Sequence, residues 1–230
     1  MINLKDITLI CVTSVKLDES INSILHCSKD INFAEIKLVT HENILVDSKI
    51  KTEKCRHLTS IEAYSHYMIY DLYKHVDTEF CLTVQHDGFI VNSQLWNNDY
   101  LKYDYIGAPW KIRDDCYLNP DGKHIRVGNG GFSLRSQRLL NTPNYEHIPF
   151  ASTIHGEYYK HLNHFSKNED NIICVHNHKL YENYGNVFAP FEVALTFSKE
   201  TILPENENLN TFGVHGYNLK DFINPFLKKT

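Results

Sequence analysis

Ile7-Thr-Leu-Ile-Cys-Val-Thr13 is an unbroken run of apolar and β-branched residues of strand length. A strand without polar alternation has to be covered on both faces, and such strands belong to parallel sheets flanked by helices. Beyond it, Asp18 can cap a short helix with Ile21, Ile24 and Leu25 at helical spacing. Ile36–Thr40 (IKLVT) then reads as a second strand. Strand, helix and strand in about 35 residues make a βαβ unit with a right-handed crossover. Residues 41–58 are polar and aperiodic, a loop with room for one short strand. Thr59 or Ser60 caps the next helix, whose apolar stripe is Ile61, Tyr64, Met68 and Leu72. Phe80–Val84 (FCLTV) is another buried strand, and it ends at Gln85-His86-Asp87.

The second half is less regular. After Tyr103–Trp110 (YDYIGAPW) comes a polar loop containing Asn119-Pro-Asp-Gly122, and His124–Val127 can form a strand. Gly128-Asn-Gly-Gly131 is a tight loop before the extended Phe132–Leu134. Ser136–Leu140 reads as a short helix stopped near Pro143, and Ile172–Val175 as either a helix start or a strand. Phe188–Phe197 suits a helix opened by Pro190. The expected class is α/β: one Rossmann-like domain over residues 1–230, with a mixed, mostly parallel sheet flanked by helices.

Composition narrows the function. The net charge is −5, and Lys and Arg are dispersed, so the basic footprint of a nucleic-acid binder is missing. No stretch approaches the roughly 18 consecutive apolar residues of a membrane span. The N-terminus, MINLKDITLICVTS, reads as a first strand rather than a signal peptide. The six cysteines (Cys11, Cys27, Cys55, Cys81, Cys116 and Cys174) form no CxxC, which fits reduced thiols in a cytoplasm. His155, His161, His164, His176 and His178 cluster without a zinc-binding spacing. A GxSxG elbow, a Walker-type loop and a GxGxxG after a strand are all absent.

Four segments can carry chemistry. Asp87 follows a buried strand, where ligands of open α/β sheets bind; a divalent cation would join it to a diphosphate, although it can equally begin a turn at Gly88. The three glycines of Gly128–Gly131 permit positive φ and close approach to a ligand, or simply make an ordinary β-turn. Arg135 is a phosphate contact or a surface residue. Glu169-Asp170 can supply a general base whose pKa the neighbouring charge raises, or simply favour a helix N-terminus. His215 lies between glycines, as a ligand-facing or a packed residue.

The order of these segments resembles the GT-A class of glycosyltransferases. More closely, it resembles a family of glycosyltransferase-like domains associated with bacterial surface polysaccharides. The similarity is carried by FCLTVQHDGFI, LKYDYIGAPW, VGNGGFSLRS, NED, FAPFEVALTFSKE and FGVHGY, over roughly residues 60–217. It implies a DxD-type motif at Gln85-His86-Asp87, with Gln85 in place of the first aspartate. Asp87 and His215 would hold Mn²⁺ or Mg²⁺ on the donor diphosphate. Asp170 would be the catalytic base, with Glu169 beside it. Thr13 would lie near the nucleotide, and Gly130 and Gly131 would border the donor sugar. Trp110 would stack on an acceptor ring, and Asn129 would help bind the acceptor.

The resemblance further implies a nucleotide-sugar half at 1–100 and an acceptor-binding, catalytic half at 101–230. The implied donor is a nucleotide sugar, with a UDP-sugar expected, and the implied acceptor is a glycan or glycolipid. The place of action would be the cytoplasm or the inner face of a membrane. With a single base the product is inverted. Two alternatives stand beside this reading. One is a binding domain that keeps the fold without turnover, favoured by Gln85. The other is a nucleotidyltransferase, which normally has a glycine-rich basic loop that residues 13–20 (TSVKLDES) lack.

Overall fold

The computed structural model describes residues 1–112, 118, 121–150 and 167–216. Nine strands are described: β1 (Ile2–Val12), β2 (Ile31–Thr40), β3 (Lys51–Lys54), β4 (Phe80–Val84), β5 (Gly88–Ile90), β6 (Tyr105–Ile106), β7 (Phe132–Ser136), β8 (Ser198–Lys199) and β9 (Gly213–His215). The main sheet has the order β3-β2-β1-β4-β7-β6. Neighbours run parallel from β3 to β4, and β7 is antiparallel to both β4 and β6. The mostly parallel α/β architecture read from the sequence is the observed one.

The unbroken apolar pattern of β1 has a direct packing cause. Leu9 and Cys11 face one side of the sheet and pack with Leu38, Leu82 and, from helix α1 (Leu17–Cys27), Ile24 and Cys27. Ile10 and Val12 face the other side and pack with Val39, Cys81 and, from helix α2 (Ile61–Tyr70), Tyr67 and Met68. Each such buried side chain contributes roughly 1.5–3 kcal/mol of transfer free energy. Lys37, in the middle of β2, is also buried. Its ammonium is held by Glu35 at 2.7 Å, Glu53 at 3.3 Å and the carbonyl of His75 at 2.8 Å, since a buried charge requires partners.

Several local expectations change. Asp18 lies within the first turn of α1; the capping position is Lys16, in a left-handed conformation. Ser60 rather than Thr59 caps α2, its hydroxyl accepting from the Ala63 N–H. Ile61, assigned to the apolar stripe of α2, is 67% exposed, because it opens the helix where no neighbouring element covers it. His124–Val127 forms only isolated bridges, Leu118 with His124 and Pro109 with Val127. The helix after β7, α3 (Gln137–Tyr145), continues through Pro143. Glu169–Asn171 is a helical turn continued by Ile172–His176, which resolves the helix-or-strand choice at that segment. A helix spans Phe191–Phe197, with Pro190 at its capping position. Cys116, Asn119, Pro120, His155, His161, His164 and the C-terminal Lys228-Lys229 lie outside the described residues.

A second sheet, β5-β9-β8, positions the site. Gly88 of β5 pairs with His215 of β9 in antiparallel register. β8 runs parallel to β9, with Lys199 opposite Val214, so the next residue, Glu200, emerges beside His215.

Candidate active site

β2 and β3 lie on one side of β1 and β4 on the other, so the strand order reverses between β1 and β4. Open α/β sheets bind ligands at the carboxyl ends of the strands flanking such a reversal. Thr13 and Gln85 stand at those two ends, and both line a cavity of about 280 Å³ with Val15, Ser60, Tyr64 and His86. Thr13 is held by its N–H to the Val39 carbonyl at 2.9 Å, and its hydroxyl donates to the Val15 carbonyl. Gln85 donates from Nε2 to the Tyr64 hydroxyl at 3.0 Å, which leaves Oε1 to face His215.

Gln85 and Gly88 close a turn, the Gly88 N–H donating to the Gln85 carbonyl at 3.0 Å, and Asp87 sits inside it. The Asp87 side chain is buried, and its Oδ1 has no hydrogen bond. His215 Nε2 approaches that oxygen to 3.2 Å as an ion-pair contact. The hydrogen bond of Nε2 goes to Gln85 Oε1, at 3.3 Å. Asn129 orients the ring: its Oδ1 accepts from the Phe132 N–H at 3.1 Å, so its Nδ2 faces His215 Nδ1 at 2.9 Å. That assignment makes Nδ1 the acceptor and leaves the ring proton on Nε2. Burial opposes charge on His215, but the Asp87 carboxylate, with Glu200 and Asp170 beyond it, raises its pKa. Burial alone would raise Asp87, and the His215 contact outweighs it, lowering its pKa.

The loop Gly128–Gly131 works differently from its sequence reading. Positive φ is taken by Asn129, at 65°, and by none of the three glycines. The glycines instead permit close approach. A β-carbon on Gly128 would stand 1.8 Å from the Trp110 ring, one on Gly130 1.9 Å from Glu169 Oε1, and one on Gly131 1.9 Å from His215 Nε2. The loop is therefore the hub against which the separate segments pack.

Asp170 joins this hub. Its Oδ2 accepts from the Gly130 N–H at 3.1 Å and its Oδ1 from the Asn171 N–H at 2.8 Å. Burial first, then the charges of Glu169 and Glu200, push its carboxyl up to about 7, against the pull of those two donors. Glu169 does something else. It is buried and paired with Arg135 at 3.1 Å. Arg135 is also fully buried, neither a surface residue nor a phosphate contact, and donates to the Gly130 carbonyl at 3.3 Å and Ser133 Oγ at 2.9 Å. Glu169 thus neutralises a buried guanidinium that braces the glycine loop, which corrects its expected place as a catalytic group.

Trp110 is a second correction. Its side chain is 5% exposed, its ring lies on Gly128, and its Nε1 donates to Glu200 Oε2 at 3.1 Å. A ring committed in this way offers no face for an acceptor sugar. Glu200 itself, partly exposed and 3.9 Å from His215 Nδ1, escaped the sequence reading. Only the pairing of β8 with β9 brings it to the site. Among the predicted residues, the fold assembles Gln85, Asp87, Asn129, Gly130, Gly131, Asp170 and His215 next to the cavity bordered by Thr13.

Residues 47–215 match the model of the family described as Protein of unknown function (DUF5672). The chain belongs to this family. No curated protein matches the DUF5672 chain. Among solved structures it is similar to an active-site mutant of LgtC, with a TM-score of 0.55 at 11% identity over 97% of both chains. It is also similar to the galactosyltransferase LgtC in complex with donor and acceptor sugar analogs, with a TM-score of 0.54 at 12% identity, covering 91% of this chain and 87% of that one. A third is a glycosyltransferase involved in glycosylation of the major capsid of PBCV-1, with a TM-score of 0.50 at 14% identity over 96% and 98%. At such identities the likeness concerns the fold, and the DUF5672 chain has the GT-A glycosyltransferase fold. No helix among its described residues is long and apolar enough to cross a membrane.

Proposed function

We propose that this DUF5672 protein is a glycosyltransferase that moves a sugar from a nucleotide donor, a UDP-sugar first among candidates, to a hydroxyl of a glycan or glycolipid. The observation that carries the reading is the convergence of Asp87, His215 and Gln85 beside the switch-point cavity, with Asp170 tied to the same glycine loop. Thr13 and the cavity take the nucleoside. Gly130 and Gly131 border the donor sugar. Asn129 acts by setting the orientation of His215.

Mn²⁺ or Mg²⁺ fits the residues present. Asp87 Oδ1 is a buried oxygen with no hydrogen bond. It lies 3.2 Å from His215 Nε2, which is 3.3 Å from Gln85 Oε1, so these atoms would surround a small divalent ion; the ion would take the place of the Nε2 proton, with the ring proton on Nδ1 and the Asn129 amide turned to accept it. Among the described residues, no group of three or more His, Cys, Asp or Glu side chains is assembled to hold a metal. The amide of Gln85 would therefore be the third donor beside Asp87 and His215. Such an ion supplies Lewis-acid stabilisation of the departing diphosphate.

Asp170 does the proton work. A carboxylate with a pKa near neutrality accepts the acceptor's hydroxyl proton as the oxygen bonds to the anomeric carbon. The bond from that carbon to the diphosphate oxygen breaks, and the nucleoside diphosphate leaves with the electron pair. One base and direct displacement give inversion, through an oxocarbenium-like transition state. The Arg135–Glu169 pair keeps the Gly130 N–H in place, and that N–H orients Asp170.

The test is release of nucleoside diphosphate from a panel of nucleotide sugars, with Mn²⁺ and mono- and oligosaccharide acceptors. Release that depends on acceptor is expected with one donor. Tight binding of a nucleotide sugar without release from any donor would instead establish a non-catalytic binding domain, the reading that Gln85 favours.

A further inference from the structure

The loop joining β1 to α1 contains a residue the proposed chemistry has not used. Lys16 adopts φ 49° and ψ 50°, a left-handed conformation that residues with a β-carbon occupy only at a cost. From there its Nζ reaches His86 Nε2 at 3.0 Å, across 70 positions of sequence. An ammonium only donates, so His86 Nε2 accepts and the ring proton sits on Nδ1, the nitrogen 3.6 Å from Asp87 Oδ1.

The chain Asp87–His86–Lys16 therefore holds an ammonium against His86, which belongs to the same turn as Asp87. His86 and Val15, the residue preceding Lys16, both line the switch-point cavity, whose lining includes no lysine, arginine or carboxylate. A nucleoside diphosphate entering it carries two or more negative charges past the β1 and β4 ends. With Gln85 in place of a carboxylate, Asp87 is the only anion on the Gln85–Asp87 turn available to hold a divalent cation. A fixed ammonium offsets diphosphate charge without requiring a metal.

We propose that Lys16, positioned by His86, binds the diphosphate of the donor and gives it an affinity component independent of metal. This rests on the reading of the cavity as a nucleotide-sugar site. His86 is a positioning residue in this scheme, because its Nε2 holds the Lys16 ammonium.

The experiment is calorimetric titration in EDTA with the nucleoside, monophosphate and diphosphate of uracil, guanine, adenine and cytosine, on wild type, Lys16→Gln, Lys16→Arg and His86→Ala. Wild type should bind one diphosphate at least about tenfold more tightly than its nucleoside. Lys16→Gln should erase that preference while leaving nucleoside affinity unchanged, and Lys16→Arg should retain most of it. His86→Ala should lose about threefold, an intermediate effect of releasing the ammonium. Lys16 is exposed, so the variants are expected to fold, and circular dichroism checks this. A Lys16→Gln protein that still prefers the diphosphate as wild type does would overturn the proposal. If no nucleoside or nucleotide binds wild type even with Mn²⁺, the donor-site reading fails and this assignment falls with it.

Discussion

The Cα of Gly131 lies so close to the His215 ring that an added β-carbon would stand 1.9 Å from Nε2. Two residues 84 positions apart thus share one volume, and the imidazole can face Asp87 only because position 131 has no side chain. The obstructing atom belongs to a side-chain end, so Gly131→Ala should displace the ring rather than unfold the chain. Mn²⁺-dependent donor affinity should fall at least about tenfold, as when a ligand or its support is lost. Calorimetry with and without Mn²⁺, beside a thermal melt close to that of wild type, checks this. Equal affinity in both proteins would remove His215 from the metal site.

Asp170→Asn keeps the shape and one acceptor for the Gly130 and Asn171 N–H groups, which now bond to separate oxygens, and removes the basic site. Transfer should drop by about 10²–10⁴-fold, with donor affinity within a factor of two or so. Single-turnover kinetics and donor titration separate the two effects. A variant with wild-type turnover would eliminate Asp170 as the base.

The raised pKa of Asp170 sets a pH dependence with a definite sign. Its carboxyl is pushed from 3.8 up to about 7, so the folded protein binds a proton that the unfolded chain has released between those values. Stability contributed by this group is greatest below pH 4 and declines as pH rises toward 7. Transfer needs the ionised form and should rise through the same upper range to a plateau. In Asp170→Asn the decline should be absent from urea-denaturation curves recorded across this pH range. A profile of turnover that falls between pH 6 and 8 would contradict the role.

Arg135→Met removes the partner of a buried carboxylate and leaves Glu169 uncompensated beside Gly130. Breaking a buried pair in this way costs about 3–5 kcal/mol. The double variant Arg135→Met with Glu169→Gln should recover much of that, because no lone charge remains. Denaturant titration of the set measures the coupling. If the single and double variants were equally destabilised, packing rather than charge would account for the pair.

The sheet was legible because its cause is local. Ile7–Thr13, Ile36–Thr40 and Phe80–Val84 are apolar without alternation, and only burial on both faces accommodates that pattern. The capping role of Ser60 and the strand-end positions of Thr13 and Asp87 follow from the same short-range chemistry. The misreadings were equally specific. Asp18 looked like a cap, but a left-handed Lys16 fills that position. Trp110 looked like a sugar platform because an indole's identity does not reveal which neighbours cover it. Glycine signals both positive φ and close approach, and only the neighbours around Gly128, Gly130 and Gly131 show that the second applies.

By itself, then, the sequence determined the class of fold and the strand that leads into the turn carrying Asp87, since hydrophobic periodicity and turn chemistry act over a few residues. Tertiary structure alone decided the company each polar group keeps. It paired β5 with β9 so that Asp87 meets His215, and aligned β8 with β9 so that Glu200 arrives beside them. It also buried Arg135 against Glu169 and brought Lys16 to His86. Those contacts join residues 15 to 128 positions apart. Electrostatic partnership depends on distance in space and burial, quantities that a linear pattern of residues does not encode.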